Sequence, residues 1–331
     1  MTAEAPLIVI DRDQVRTHLT YERCIPLMRE CMMALSRGDT TQMLRSIVDL
    51  RDGAAFGVMA GSLGRERAFG AKLVSVYPRN RDIGRQSHQG VITLFDPASG
   101  APRCIIHAGE VTAIRTGAAS AAATDVLART DSSVLALLGY GEQARSHVQA
   151  ISQVRSLTEV MVWGRSKQQA ADFAARVRDS LNLNATACAQ VADAVADADI
   201  ICTTTAAAEP VLRSAWVRPG THINAVGSSR AGPAEIDSEL VVRARIFADH
   251  RESVLRQGAE FLHAKAAGLI DDAHLQGEIG QVMLGSIKGR SSSAEVTLYK
   301  SLGNIVQDLA CGEFLYAAAL RGGFGARAPL E

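Results

Sequence analysis

Apolar positions follow two rhythms along this chain. Up to about residue 117 they alternate with polar ones in short runs, at 7–10, 43–50, 57–60, 71–77 and 90–95, with one helical repeat over about 21–36. Turn clusters separate the runs, at Arg51-Asp52-Gly53, Pro78-Arg79-Asn80 and Asp96-Pro97-Ala98-Ser99-Gly100. Period-two runs between turn residues predict strands, and a helix among them predicts an α+β region with a largely antiparallel sheet.

The rhythm changes at Thr116. An Ala-rich run over 117–123 leads into a helix ending near Arg129, and short apolar strands then alternate with helical stretches. Strands are predicted at 133–138, 159–163, near Ala185, and at 199–203, 222–226 and 244–248, with helices at 142–152, 167–180 and 190–196. Such alternation predicts an α/β, Rossmann-type doubly wound parallel sheet.

Composition narrows the function classes. The 331 residues carry 35 Lys+Arg against 35 Asp+Glu, a net charge of zero, which argues against a nucleic-acid or polybasic membrane-surface partner. The length suggests two domains, and 47% hydrophobic residues can build a core in each. Cys24, Cys31, Cys104, Cys188, Cys202 and Cys311 are scattered without ligand spacing, so reduced thiols and no metal are expected. The start MTAEAPLIVIDRDQ has no signal-peptide pattern and no apolar run is long enough to span a membrane, so a cytoplasmic protein is expected.

The first chemistry-bearing motif follows the strand at 133–138. Gly139-Tyr140-Gly141-Glu142-Gln143-Ala144 has the form G-x-G-x-x-A and opens a helical stretch. Gly139 permits a tight turn, Gly141 lets backbone approach a pyrophosphate, and Ala144 allows close helix–strand packing, while the helix N-terminus offers N–H groups to phosphates. After the second strand, an NAD site places an acid on the ribose hydroxyls. Here the chain reads Trp163-Gly164-Arg165-Ser166-Lys167, which suits a 2′-phosphate, so NADPH is expected over a weaker NADH. Thr203 and Thr204 at one strand end, and Val226, Gly227 and Ser228 at the next, are expected to line the crevice at the strand C-termini, although such hydroxyls often only cap backbone.

The first half supplies candidate substrate groups: Arg45, Lys72, His88, Gln89 and Arg115. Lys72 lies in the apolar run Gly70-Ala71-Lys72-Leu73-Val74, where a buried cation is costly unless an anion meets it. An internal salt bridge is the competing reading for Lys72 and for Arg115.

Taken together, these stretches resemble the ornithine cyclodeaminase / mu-crystallin family, over nearly the whole chain. The matching segments are 70–80, with its Lys-to-Pro-x-Asn element, 111–119 as T-x-x-R-T-x-A, the glycine loop 139–144, 163–166, and Tyr299-Lys300-Ser301-Leu302-Gly303. The resemblance implies a dinucleotide-binding domain over 119–307 and a substrate-binding and dimerisation domain over 1–118, completed by 308–331, through which members pair as homodimers. It places Arg45, Lys72, Gln89 and Arg115 on the substrate, the first, second and last on its carboxylate, and puts Thr116 and Gly303 with the cofactor residues. One departure stands out: cyclodeaminases carry an Asp where this chain has Ser229, and a hydroxyl cannot supply the same base or counter-charge to an amine.

The expected activity is therefore NADPH-dependent reduction of a small cyclic imino acid, 1-pyrroline-2-carboxylate or 1-piperideine-2-carboxylate, with Lys72, His88 or Ser229 as the route for the proton. An amino-acid dehydrogenase or cyclodeaminase, and a non-catalytic mu-crystallin-like binding protein, are the alternatives.

Overall fold

The computed structural model describes residues 6–329. The chain divides into two compact units, Met1–Arg115 with Asn304–Glu331, and Thr116–Gly303. The first division falls inside a helix, Ala108–Leu127, and the second just before another, Ile305–Gly322, each a few residues earlier than the expected 118/119 and 307/308.

In the first unit, seven strands precede the long helix: β1 (Leu7–Ile10), β2 (Thr41–Gln42), β3 (Ser46–Asp49), β4 (Ala55–Ser62), β5 (Phe69–Val76), β6 (His88–Phe95) and β7 (Pro102–His107). The sheet order is Ala326–Ala328, β1, β7, β6, β5, β4, β2, with β3 also on β4. All pairings are antiparallel except β1 with β7. Side chains alternate between the faces. On β5, Gly70, Lys72 and Val74 are buried, whereas Ala71, Leu73 and Ser75 are only half-buried. Helix Ile305–Gly322 packs on β4, β5 and β6 and against helix Tyr21–Arg37, where the Cys24 and Cys311 sulfurs lie 3.7 Å apart as free thiols.

In the second unit, eight strands form a wholly parallel sheet: β8 (Val134–Leu138), β9 (Glu159–Trp163), β10 (Asn184–Ala187), β11 (Ile200–Thr203), β12 (His222–Ala225), β13 (Arg245–Ala248), β14 (Leu275–Glu278) and β15 (Thr297–Lys300). The order is β10, β9, β8, β11, β12, β15, β13, β14. The order in which strands are added reverses at β8, and the C-terminal end of that strand is where such sheets bind ligands. Small side chains bury helix Ala108–Leu127 from Ala118 to Ala123, and a Cβ on Gly117 would sit 2.7 Å from the Ser146 carbonyl, so glycine is needed for that helix approach.

Several elements depart from the sequence reading. The Ala-rich helix begins at Ala108 rather than near Thr116, because His107 Nδ1 accepts the Glu110 N–H at 3.1 Å and serves as an atypical cap. Strands β7, β14 and β15 and the helices between 238 and 283 were not signalled; β15 is four fully buried residues, Thr-Leu-Tyr-Lys, whose polar content masks a central strand. Among the described residues, no helix is long and apolar enough to cross a membrane.

Candidate functional site

Strand β5 delivers Lys72 to the buried face of the first sheet, and helix Ala108–Leu127 brings Arg115 to the same place. Both meet one carboxylate. Asp308, in the first turn of helix Ile305–Gly322, accepts Lys72 Nζ at 3.0 Å and Arg115 Nε at 3.1 Å on the same oxygen, Oδ1. Arg115 also donates to Gln307 Oε1 at 3.0 Å. All three charged side chains are buried, and Asp308 Oδ2 has no hydrogen-bond partner. Burial opposes the ionised form of Asp308, but Arg115 and Lys72 overcome it and hold the carboxyl below its ordinary value. For Lys72, burial dominates: despite Asp308, and with Arg115 and Arg45 adding repulsion, the ammonium is pushed down to about 8. The salt-bridge reading of these cations thus holds as geometry, yet two buried cations share one carboxylate oxygen.

Arg45 lies half-buried between β2 and β3 and is close enough to act on Lys72. His88 opens β6 opposite Val76, on the same sheet face as Lys72, which pairs with Ile92. Four residues along the strand amount to roughly 13 Å between the two backbones. Its Nδ1 lies 3.0 Å from Ser87 Oγ. Gln89 corrects the expectation. It pairs with Ser75 on the opposite face, is exposed, and donates to the Gln86 carbonyl at 3.1 Å, so strand alternation keeps it out of the cluster.

In the second unit, Gly139 turns the chain out of β8 with φ +124°, and a Cβ there would sit 2.6 Å from Thr204 Oγ1. Gly141 forms the N-cap of helix Glu142–Ile151 with no side-chain hydrogen bond to the first turn. A Cβ on Gly141 meets nothing within 4 Å, so the space above the helix N-terminus is clear. Gln143 Oε1 is buried without a hydrogen-bond partner, and Ala144 is fully buried against the sheet side. A bare helix N-terminus with an open glycine above it fits a pyrophosphate. At the end of β9, Gly164 gives room to the Tyr140 ring, Arg165 and Lys167 are exposed, and Ser166 caps helix Lys167–Leu181 by accepting the Gln169 N–H at 3.3 Å. No acid stands at this turn, so the residues fit a 2′-phosphate.

The hydroxyls at the other strand ends have internal acceptors. Thr203 Oγ1 donates to Glu235 at 2.7 Å, Thr204 Oγ1 to the Leu138 carbonyl at 3.1 Å, and Ser228 Oγ to the Pro233 carbonyl. Each of these three hydroxyls thus serves the backbone or an internal acid. Ser229 is half-buried in the same loop after β12, beyond Val226 and Gly227, whose amides donate to the Thr203 carbonyl at 3.1 Å. Thr116 is buried in helix Ala108–Leu127, and Gly303 turns with φ +78°, its N–H and that of Leu302 held by Asp249.

Sequence reasoning missed the acids that organise both halves. Glu235 accepts four donors: Thr203 Oγ1, Thr205 Oγ1, and the amides of Thr205 and Gly227, the amides at 2.6 Å. Lys300, inside the matched motif, donates to the Ser228 carbonyl at 2.7 Å and pairs with Glu260 at 2.8 Å. The signal for Asp308 was an acid in the first turn of an otherwise apolar helix.

The family model described as "Ornithine cyclodeaminase/mu-crystallin family" matches residues 7–323. Ketimine reductase mu-crystallin of Mus musculus is 34% identical over 312 residues, 93% of this chain and 96% of that protein. A Delta(1)-pyrroline-2-carboxylate reductase of Bacillus cereus is 35% identical over 261 residues, 78% of this chain and 80% of that protein. The Thermococcus litoralis Delta(1)-pyrroline-2-carboxylate reductase, solved in complex with NADH and L-proline, superposes with a TM-score of 0.94 at 31% identity, over 97% of this chain and all of the other. The chain belongs to the ornithine cyclodeaminase/mu-crystallin family.

Proposed function

We propose that the protein reduces cyclic ketimines, the five-membered 1-pyrroline-2-carboxylate and the six-membered 1-piperideine-2-carboxylate, to L-proline and L-pipecolate with NADPH. Its class is that of its family relatives: a pyridine-nucleotide oxidoreductase acting on C=N and CH–NH bonds. The observation that carries the substrate reading is the buried pair of cations, Lys72 and Arg115, that share a single oxygen of one carboxylate, Asp308. A buried excess of cations calls for an anion, and a planar imino acid offers its carboxylate.

A reduced nicotinamide dinucleotide, when bound to the Gly139–Ala144 loop, supplies the hydride. Arg165, Ser166 and Lys167 at the end of β9 favour the 2′-phosphorylated form, because guanidinium and ammonium groups stand where an acid would repel it. Arg45 and Arg115 hold the carboxylate and fix the ring, and the imine nitrogen takes a proton from the chain as its carbon is reduced. Ser229 cannot act as the carboxylate of a cyclodeaminase, which favours reduction over ring closure of a diamino acid.

Two chains are expected to pair through the first unit. Phe56, Val58, Leu73, Val91 and Ile105 share the sheet face opposite Lys72 and are only half-buried, an apolar surface suited to an isologous dimer. A cytoplasmic location accords with the free thiols.

Chiral chromatography of the reaction mixture tests the function: L-proline or L-pipecolate formed from its imine and NADPH supports it. Ammonia released from L-ornithine or L-alanine with oxidised cofactor, in place of imine reduction, would overturn it.

A further inference from the structure

Every group proposed for substrate binding in the first unit carries positive charge, and the one buried acid among them has no assigned part. We propose that Asp308 is a positioning residue for the reductive step: by accepting Lys72 and Arg115 on one oxygen, it keeps Lys72 an ammonium, and Lys72 rather than His88 hands the proton to the imine nitrogen. The inference rests on the ketimine-reductase reading above.

The geometry separates the two proton donors. Lys72 Nζ sits in the cation cluster, 3.0 Å from Asp308 Oδ1, and Arg115 Nε meets the same oxygen at 3.1 Å. His88 belongs to a register pair four residues along the strands, with its Nδ1 beside Ser87. A lysine buried among arginines loses its proton unless a carboxylate holds it. Asp308 is the acid on Lys72: Arg115 faces it from helix Ala108–Leu127 and Arg45 from the β2–β3 loop, both repelling its charge. From helix Tyr21–Arg37, Cys31 faces Asp308, and burial pushes that thiol well above its ordinary value, so it stays neutral.

The balance of burial against Asp308 leaves Lys72 near 8, protonated at neutral pH yet a far better acid than a surface lysine. In the proton step, the π pair of C=N moves onto nitrogen as carbon receives the hydride. A new N–H bond forms there while an N–H bond of Lys72 breaks, leaving a neutral amine that regains its proton from water. Asp308 itself transfers nothing, because its carboxyl is held below the ordinary range and stays ionised.

The test compares wild type with Asp308→Asn in two readouts. In the first, the pH profile of kcat for imine reduction should lose activity above about pH 8 in wild type, and the midpoint should fall by about one pH unit or more in Asp308→Asn, giving roughly 5-fold or more lower kcat at pH 8. In the second, lysine labelled with carbon-13 is followed by NMR; the sequence has only Lys72, Lys167, Lys265, Lys288 and Lys300, and Lys72 is identified by its loss in Lys72→Arg. Its titration should move down in Asp308→Asn by the same amount as the kinetic midpoint, and Asp308→Glu should restore it. A merely structural salt bridge would lower the Tm and move the Lys72 titration but leave the kinetic midpoint in place, which would overturn the proposal. If Asp308→Asn does not fold, the wild-type comparison decides: a Lys72 titration that does not coincide with the kinetic midpoint overturns it. Wild type that turns over no imine, while Lys72 still titrates as described, refutes the ketimine reading and Asp308's part in reduction, but not the coupling of the two residues.

Discussion

Lys72 on strand β5 and Asp308 on the last long helix are 236 residues apart in sequence and 3.0 Å apart in space, both almost wholly buried. The pair ties the helix that follows Gly303 to the sheet of the first unit, and it does so at the group expected to give up a proton. Lys72→Ala should therefore lower kcat by about 100-fold or more, the scale of a lost general acid. NADPH affinity should stay within about two-fold, since the residues proposed to hold the cofactor lie in the other unit, and fluorescence titration of the bound cofactor checks this. Near-normal turnover would remove Lys72 from the reaction.

Arg165 is exposed at the end of β9 with no acid at that turn. Arg165→Ala should raise the KM for NADPH by about 10-fold or more, the worth of one charge-assisted hydrogen bond, and leave NADH almost unchanged. Steady-state kinetics with both cofactors measures the ratio. Equal losses would show that Arg165 does not meet a 2′-phosphate.

Glu235 holds the ends of β11 and β12 together through four donors, two of them backbone amides. Glu235→Ala strands those donors in the interior, at a cost of about 1–3 kcal/mol for each that water does not reach. A lower Tm should accompany weaker cofactor binding, with Glu235→Gln intermediate. An unchanged Tm would mean that solvent replaces the carboxylate.

Two histidines set the acid side of stability. Burial holds His147 down to about 4 and His222 down to about 3, against an ordinary value near 6.5. Between those limits the unfolded chain binds protons that the folded chain refuses, so stability falls as the pH drops below about 6.5, by about 1.4 kcal/mol per pH unit for each histidine. The effect is absent well above 6.5, where both states are neutral. Urea unfolding at pH 7, 6 and 5 reads the slope, and His147→Gln should flatten it by about half. A slope that the variant does not change would contradict the assignment.

The second unit was largely legible in the sequence because its parallel strands are apolar runs and its glycine turn is local: Gly139, Gly141 and Ala144 lie within six residues of one another. Arg45, Lys72 and Arg115 were also readable as candidates, as charges in apolar surroundings. The partner of Lys72 and Arg115 was not, because Asp308 meets those two only through tertiary packing and carries no motif of its own. Gln89 was misread for a related reason: adjacent strand residues point to opposite faces, and proximity to His88 in sequence is separation in space. The internal acceptors of the Thr203, Thr204 and Ser228 hydroxyls were likewise not readable, because only the fold shows which acceptor each one serves.

The central claim is tested most directly by NADPH consumption at about 340 nm, the absorbance of the reduced nicotinamide, with the five- and six-membered cyclic imino acids in parallel and NADH as control. Oxidation of NADPH by at least one ring, faster than oxidation of NADH, is the expected result. Tight NADPH binding with no oxidation by either ring would contradict the claim and point to a dehydrogenase of open-chain substrates or a protein that only binds its ligand.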